Sequence, residues 1–272
     1  MRAPRRQVER DRESNYHLDV MSSTEYRVRV EVVEDYEAMS RAAARVVAAR
    51  LRENPEAVML LPTGSTPLGM YRELVKMHRE EGLSFARATF FNLDEYLGLP
   101  AGHPASYHEY MWRNFFGLVD VDPERVHVPD GLTEGPEDEC ARYEARIREA
   151  GGVDLCVLGI GRNGHVGFNE PGSSFASRTR VVELSRSTRR ANAGDFSGGA
   201  VPKRAITVGM RTIFGSREIV LLASGRNKAG AVAAALEGPV GEEVPASMLR
   251  EHPRALFLLD REAASSLRRR VA

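Results

Sequence analysis

The 272-residue sequence holds only two cysteines, Cys140 and Cys156, too few for a disulfide framework. Cys156 sits inside an apolar strand pattern, and a reduced, cytoplasmic protein is the expected setting. There is no excess of charge: 38 Lys and Arg balance 38 Asp and Glu, so net charge does not point to nucleic acid. No apolar run approaches the ~20 residues that span a bilayer, so no membrane partner is expected. Residues 1–20, MRAPRRQVERDRESNYHLDV, have no apolar core and are not a secretory signal. They are charged, mixed in sign and poor in core-forming residues, and read as a disordered tail. Translation is expected to start at Met21, or the tail to be a disordered extension. Beyond it no internal repeat and no low-complexity linker appears, so residues 21–272 read as a single α/β domain. The lone Trp112 is expected in the core or at an interface.

What the chain does contain is a repeating order of apolar strand, loop and helix. Residues 26–33, YRVRVEVV, alternate as a half-exposed strand does. Residues 57–62, 88–96, 153–161, 204–210, 218–225 and 254–260 are further strand patterns. Helical patterns cover 35–52, 68–82, 107–116, 136–150 and 227–236, the fourth of these ended by Gly151 and Gly152. This order predicts an α/β fold: a mostly parallel sheet with helices on both faces. Residues 193–203, AGDFSGGAVPK, hold three glycines and no apolar periodicity; they read as a mobile lid or as an ordinary surface loop.

Ligands of such sheets sit at the carboxyl ends of the strands. Four loops follow predicted strands there. The first, PTGSTP at 62–67, offers Thr63, Gly64, Ser65 and Thr66 just before a helix. Backbone N–H groups and the helix dipole at such a place suit an anion such as phosphate; a plain capped helix start is the other reading. No Walker A lysine follows. The second loop carries Asp94 and Glu95 in FNLDEYLGLP, where a carboxylate at a strand end suits a general base or simply a solvated acidic turn. The third, GIGRNGHVGFNEP at 159–171, joins four glycines to His165 and Glu170. His165 titrates near neutral pH, and Glu170 is placed to orient its ring through the second nitrogen. The run has no metal-ligand spacing. It also lacks the acidic residue about 20 positions on that the dinucleotide fingerprint requires. The fourth, ASGRNKAG at 223–230, puts Lys228 in the first turn of a helix. The dipole disfavours a lysine there unless an anion lies between them, so Lys228 is a candidate phosphate ligand or a solvated lysine. No nucleophilic serine or cysteine motif appears. Together the loops describe a sugar-phosphate-sized site with acid–base groups.

The motifs LPTGSTPLGMY, FFNLDEYLGLP, HPASYHEYM, GIGRNGHVGFNEPGSSFASRTR, VPKRAITVGM and GRNKA occur in this order. With them the chain resembles the glucosamine-6-phosphate deaminase (isomerase) family over about residues 28–260. The resemblance implies a modified Rossmann-like fold and a reaction without metal or cofactor: glucosamine 6-phosphate and water give fructose 6-phosphate and ammonia. It implies that His165 assists ring opening, that Asp94 moves the proton between C2 and C1, and that Glu170 and Asn163 support His165. The partner is then a small amino-sugar phosphate, and a homo-oligomer is compatible with the sequence.

Three positions depart from the family pattern. Asn163 stands where one branch has aspartate. Gly194, in ANAGDF, stands where members commonly carry a lid arginine that reaches the phosphate, and Asp195 follows it. Losing such a charged hydrogen bond costs about 1.5–3 kcal/mol, and Arg189 or Arg190 are candidates to compensate. Ser173 and Arg180 match the allosteric pocket of regulated members, but its lysine is here Val182, so that regulation is not expected. The alternatives are a deaminase of another, unphosphorylated amino sugar, a phosphogluconolactonase, and a sugar-phosphate-sensing binding module of the same fold.

Overall fold

The computed structural model describes residues 21–22, 28–196 and 200–268. The expected tail, residues 1–20, and residues 197–199 of the expected lid lie outside the described residues. In chain order the elements are β1 (Met21–Ser22), β2 (Arg29–Val33), α1 (Tyr36–Glu53), β3 (Val58–Leu61), α2 (Leu68–Glu81), β4 (Thr89–Asn92) and β5 (Asp94–Tyr96). There follow α3 (Tyr107–Asn114), β6 (Val126–His127), α4 (Pro136–Glu149), β7 (Leu155–Gly159), β8 (Arg180–Glu183) and α5 (Arg186–Ala191). Last come β9 (Arg204–Thr207), α6 (Met210–Phe214), β10 (Glu218–Ala223), α7 (Ala229–Glu237) and β11 (Ala255–Asp260).

The short, continuous apolar runs become the centre of an eight-stranded sheet, ordered β1-β2-β11-β10-β7-β3-β4-β6. Every pairing in it is parallel except β1 with β2. Strands such as β3 and β11 are buried along their whole length, as a sheet covered on both faces requires. One face packs Leu60, Leu158 and Phe257 against Tyr143 and Ile147 of α4 and Val232 of α7. The other packs Met59, Leu61 and Phe90 against Met39 of α1, Leu74 of α2 and Met111 of α3. Each fully buried side chain of this kind contributes about 1.5–3 kcal/mol. Trp112 lies against the second of these clusters.

Local sequence explains the helix ends. Asp35 caps α1, its Oδ1 accepting from Ala38 N at 2.8 Å, and Ser106 caps α3 through Glu109 N at 3.0 Å. Gly82 closes α2 at φ 70°, and Gly151 and Gly152 close α4 at φ 91° and 81°, a left-handed region that glycine reaches without strain.

Two expectations change. The alternating pattern does not make a half-exposed strand where it is described, in β2: residues 30–33 are all buried, and Glu31 pairs with Arg29. The pattern at 204–210 is not part of the parallel sheet either. It forms β9, the centre of a separate antiparallel sheet ordered β5-β9-β8. This sheet has its own cluster of Tyr96, Phe168, Leu184, Phe196 and Ala205. Among the described residues no helix is long and apolar enough to cross a membrane.

Candidate active site

The chain adds β3, β4 and β6 in one direction along the sheet and then returns through β7, β10 and β11 in the other. The order therefore reverses between β3 and β7, where open α/β sheets form a binding crevice. The loops after β10, β7, β3 and β4 lie side by side at this edge, so all four loops singled out in the sequence meet there.

The loop after β3 is braced by three phenols. Tyr71 Oη donates to Pro62 O at 2.5 Å and Tyr110 Oη to Gly64 O at 2.6 Å. Tyr36 Oη donates to Ser65 O at 3.1 Å while accepting from Gly69 N at 2.8 Å. With its carbonyls held from behind, and Gly64 at φ 98°, the loop keeps Thr63, Ser65 and Thr66 at least partly exposed ahead of α2. Pro67 at the start of α2 supplies no side-chain cap. Gly69 N is taken by Tyr36, and the first-turn amides left for an anion are those of Leu68 and Met70. The tyrosines give no sequence signal of this function; all three read as ordinary helical residues.

After β4 the chain passes through Leu93 and changes sheet. Asp94 and Glu95 both lie on β5, and both are buried, at 5% and 2% exposure. Their surroundings differ. Glu95 accepts from Tyr96 N at 2.8 Å, Tyr107 N at 3.0 Å and His108 N at 2.9 Å, so it fastens the start of α3. Among the described residues the Asp94 carboxylate accepts no hydrogen bond. Burial, and then the neighbouring Glu95, push Asp94 up to about 8. Burial pushes Glu95 to about 7 against the three backbone hydrogen bonds.

The loop after β7 carries the histidine. Gly161 N donates to His165 O at 2.9 Å and Gly164 N to Gly161 O at 3.0 Å, closing a tight turn. The His165 ring folds onto Gly161, where a Cβ would come within 2.2 Å of ring Cε1. His165 Nδ1 lies 2.7 Å from Asn163 Oδ1, and Asn163 Nδ2 donates to Glu170 Oε2 at 2.7 Å. A carboxylate only accepts, so the amide must turn its oxygen to the ring. Nδ1 therefore carries the proton and Nε2 is left as a base. Glu170 Oε2 lies 3.6 Å from Nδ1, within ion-pair reach of an imidazolium as expected but beyond a hydrogen bond, so the orienting contact is relayed by Asn163.

Glu170 is itself anchored. Its Oε1 accepts from Ser185 Oγ at 3.2 Å and from Thr188 Oγ1, tying α5 to this loop. Burial raises the Glu170 carboxyl, but the neighbouring His165 ring, Thr188 and Asn163 outweigh it and hold it at about 2. The sequence reading missed Ser185 and Thr188. Their signal is the Ser-x-x-Thr start of α5, where Ser185 Oγ accepts from Thr188 N at 3.1 Å.

Lys228 lies at the same edge, its Nζ donating to Ile160 O at 2.6 Å. Ser173 and Arg180 come together at 3.1 Å, and Arg180 also donates to Asn169 Oδ1 at 2.7 Å. Val182, two residues along β8, packs instead against the cluster around Tyr96. Gly194 is exposed, with open space around the position of a Cβ. Phe196 meets the Tyr96 ring edge-on at 5.4 Å.

The reversed strand order and the four loops at the carboxyl edge place the chain among α/β proteins that bind at a topological switch point. The chain belongs to the family of glucosamine-6-phosphate isomerases and 6-phosphogluconolactonases, whose sequence profile matches residues 34–258. It is 49% identical over 241 residues to the glucosamine-6-phosphate deaminase of Halothermothrix orenii, covering 88% of this chain and 100% of that one. It is likewise 49% identical to glucosamine-6-phosphate deaminase 1 of Bacillus subtilis, over 88% of this chain and 99% of that one. A solved structure described as a monomeric glucosamine-6-phosphate deaminase superposes with a TM-score of 0.85 at 50% identity, covering 87% of this chain and 99% of that chain. The 6-phosphogluconolactonase of Trypanosoma brucei, at 22% identity and a TM-score of 0.69 over 88% of this chain and 98% of that one, shares the fold.

Proposed function

We propose that this chain is a glucosamine-6-phosphate deaminase, converting glucosamine 6-phosphate and water to fructose 6-phosphate and ammonia. Near-full-length identity of 49–50% to proteins of that name supports the reaction. The observation that carries the mechanism is the pair of proton-transfer groups at the switch point: a buried, unpartnered carboxylate and an imidazole with a fixed tautomer.

The first loop, with Thr63, Gly64, Ser65 and Thr66, and Lys228 bind the phosphate. Nε2 of His165 takes the proton of the anomeric hydroxyl and returns one to the ring oxygen, opening the pyranose. Asp94 removes the proton from C2, giving an enolamine, and delivers it to C1. The resulting C2 imine takes up water, and ammonia leaves as the ketone forms. Asp94 suits both halves of its task, since a carboxyl near pKa 8 accepts and gives a proton at neutral pH. Asn163 and Glu170 are positioning residues for His165. Ser173 and Arg180 remain as a paired remnant of the allosteric pocket, without its lysine.

Residues 21–272 are read as one α/β unit. The two buried free thiols support a reducing, cytoplasmic setting. The monomer described for the solved relative is the expected state.

Ammonia release from glucosamine 6-phosphate and from free glucosamine, each beside Asp94→Asn and His165→Ala, tests the reading. Activity on the ester that both variants lose supports it. Activity on glucosamine alone transfers the assignment to an unphosphorylated amino sugar.

A further inference from the structure

We propose that Arg162 is a phosphate-binding residue of this chain, gripping the ester together with Lys228 and the loop of residues 62–67 and filling the role that Gly194 cannot. The inference rests on the sugar-phosphate reading above and names the group that confers it. Placement carries the argument. β7 runs between β10 and β3, so its exit loop lies between the loop that bears Lys228 and the loop that bears Thr63, Ser65 and Thr66. Lys228 Nζ is fixed over that exit by Ile160 O at 2.6 Å. Arg162 is two residues farther on. It is exposed, and among the described residues it makes no ion pair or hydrogen bond.

Its backbone is not free to wander. Arg162 is in the turn closed by Gly161 N to His165 O at 2.9 Å and by Gly164 N to Gly161 O at 3.0 Å. The cation and the histidine thus share one small turn, and an anion held by Arg162 is held in register with the His165 ring. Lys228 senses the arginine: its ammonium is made more acidic by burial first and by the Arg162 charge second. Two neighbouring cations repel each other, and a dianion between them reverses the sign of that interaction for both. A guanidinium adds a planar pair of donors that matches two phosphate oxygens. Gly194, exposed on the segment Ala193–Asp195, has no side chain to offer.

The test is titration calorimetry of the wild-type chain, Arg162→Gln and Arg162→Lys with fructose 6-phosphate and with inorganic phosphate, beside thermal melting. Loss of a charge-assisted contact weakens both ligands roughly ten- to hundredfold in Arg162→Gln. Arg162→Lys recovers part of the loss, and KM for glucosamine 6-phosphate rises with the Kd. Adding Gly194→Arg to Arg162→Gln restores affinity from the lid side. Unchanged affinity in Arg162→Gln overturns the proposal. So does a loss that comes with a lowered Tm and that lysine does not relieve. If the wild type binds fructose 6-phosphate but releases no ammonia from any amino-sugar phosphate, the deaminase reading fails while the titrations still decide Arg162.

Discussion

Asp94 stands directly opposite Thr207 in the antiparallel register of β5 and β9, and Thr207 Oγ1 in turn accepts from Phe168 N at 3.1 Å. The buried carboxylate is therefore placed by the small sheet, and the same threonine docks the histidine loop beside it. Gly167 fills the gap. Its φ is 56°, and a Cβ there would lie 3.1 Å from Thr207 Oγ1 and 3.4 Å from Asp94 Oδ2.

Gly167→Ala follows from that geometry. A left-handed alanine costs about 1–2 kcal/mol, and its methyl pushes on the two groups that fix Asp94 against the loop. Deaminase kcat should fall at least tenfold while Tm drops by only a few degrees. Steady-state kinetics beside calorimetry checks this. An alanine variant with wild-type kcat would show that the loop and Asp94 are not held together through this contact.

The two carboxylates of the site pull stability in opposite directions with pH. Asp94, raised from 3.8 to about 8, favours the folded state below pH 4, and that contribution is lost as pH climbs through about 8. Glu170, lowered from 4.5 to about 2, stabilises the fold above pH 4.5 and stops doing so as pH falls toward 2. Asp94→Asn should therefore melt increasingly above the wild type between pH 4 and 8, and Glu170→Gln should melt below it at neutral pH. Activity follows the base form of Asp94, so kcat/KM should rise toward about pH 8. Glu95→Gln removes the adjacent negative charge and should move that limb to lower pH. The Glu95 charge acts on Asp94, so the limb depends on both carboxyls. A limb that stays in place in Glu95→Gln would separate them.

Much of this was legible in the sequence because parallel strands, buried on both faces, are written as unbroken apolar runs such as AVMLL and ALFLL. Every helix predicted from periodicity is present, with no end shifted by more than two residues. The small sheet was hidden for a physical reason. β5 and β8 have only three and four residues, and DEY reads as an acidic turn until Glu95 is seen accepting three backbone amides. Four rim loops could be found because each follows an apolar strand and carries residues that such a turn does not need. Their mutual contacts could not: Thr188 reaches Glu170 across 18 positions, and Tyr110 reaches Gly64 across 46. Asn163 is the instructive case. Sequence ranks an amide below a carboxylate as a partner for histidine. The fold instead uses its two-sidedness, one end reading Glu170 and the other dictating the tautomer of His165.

That two-sidedness can be broken without touching either neighbour. Asn163→Leu keeps the branched shape but offers Nδ1 no acceptor, and it also strips Glu170 of one donor. The imidazole is then free to carry its proton on Nε2, where it cannot accept from the anomeric hydroxyl. We expect kcat to fall about tenfold to a hundredfold, the lower range for loss of a general base. Nitrogen-15 shifts of the ring give the separate readout: Nδ1–H in the wild type, a shift toward Nε2–H in Asn163→Leu. Asn163→Asp restores an acceptor at Nδ1 but sets it against Glu170, so it should recover the tautomer while raising the carboxyl titration of the pair. A wild-type ring already protonated on Nε2 would sink the relay, because the hydrogen bond at 2.7 Å to Asn163 would then have no proton in it.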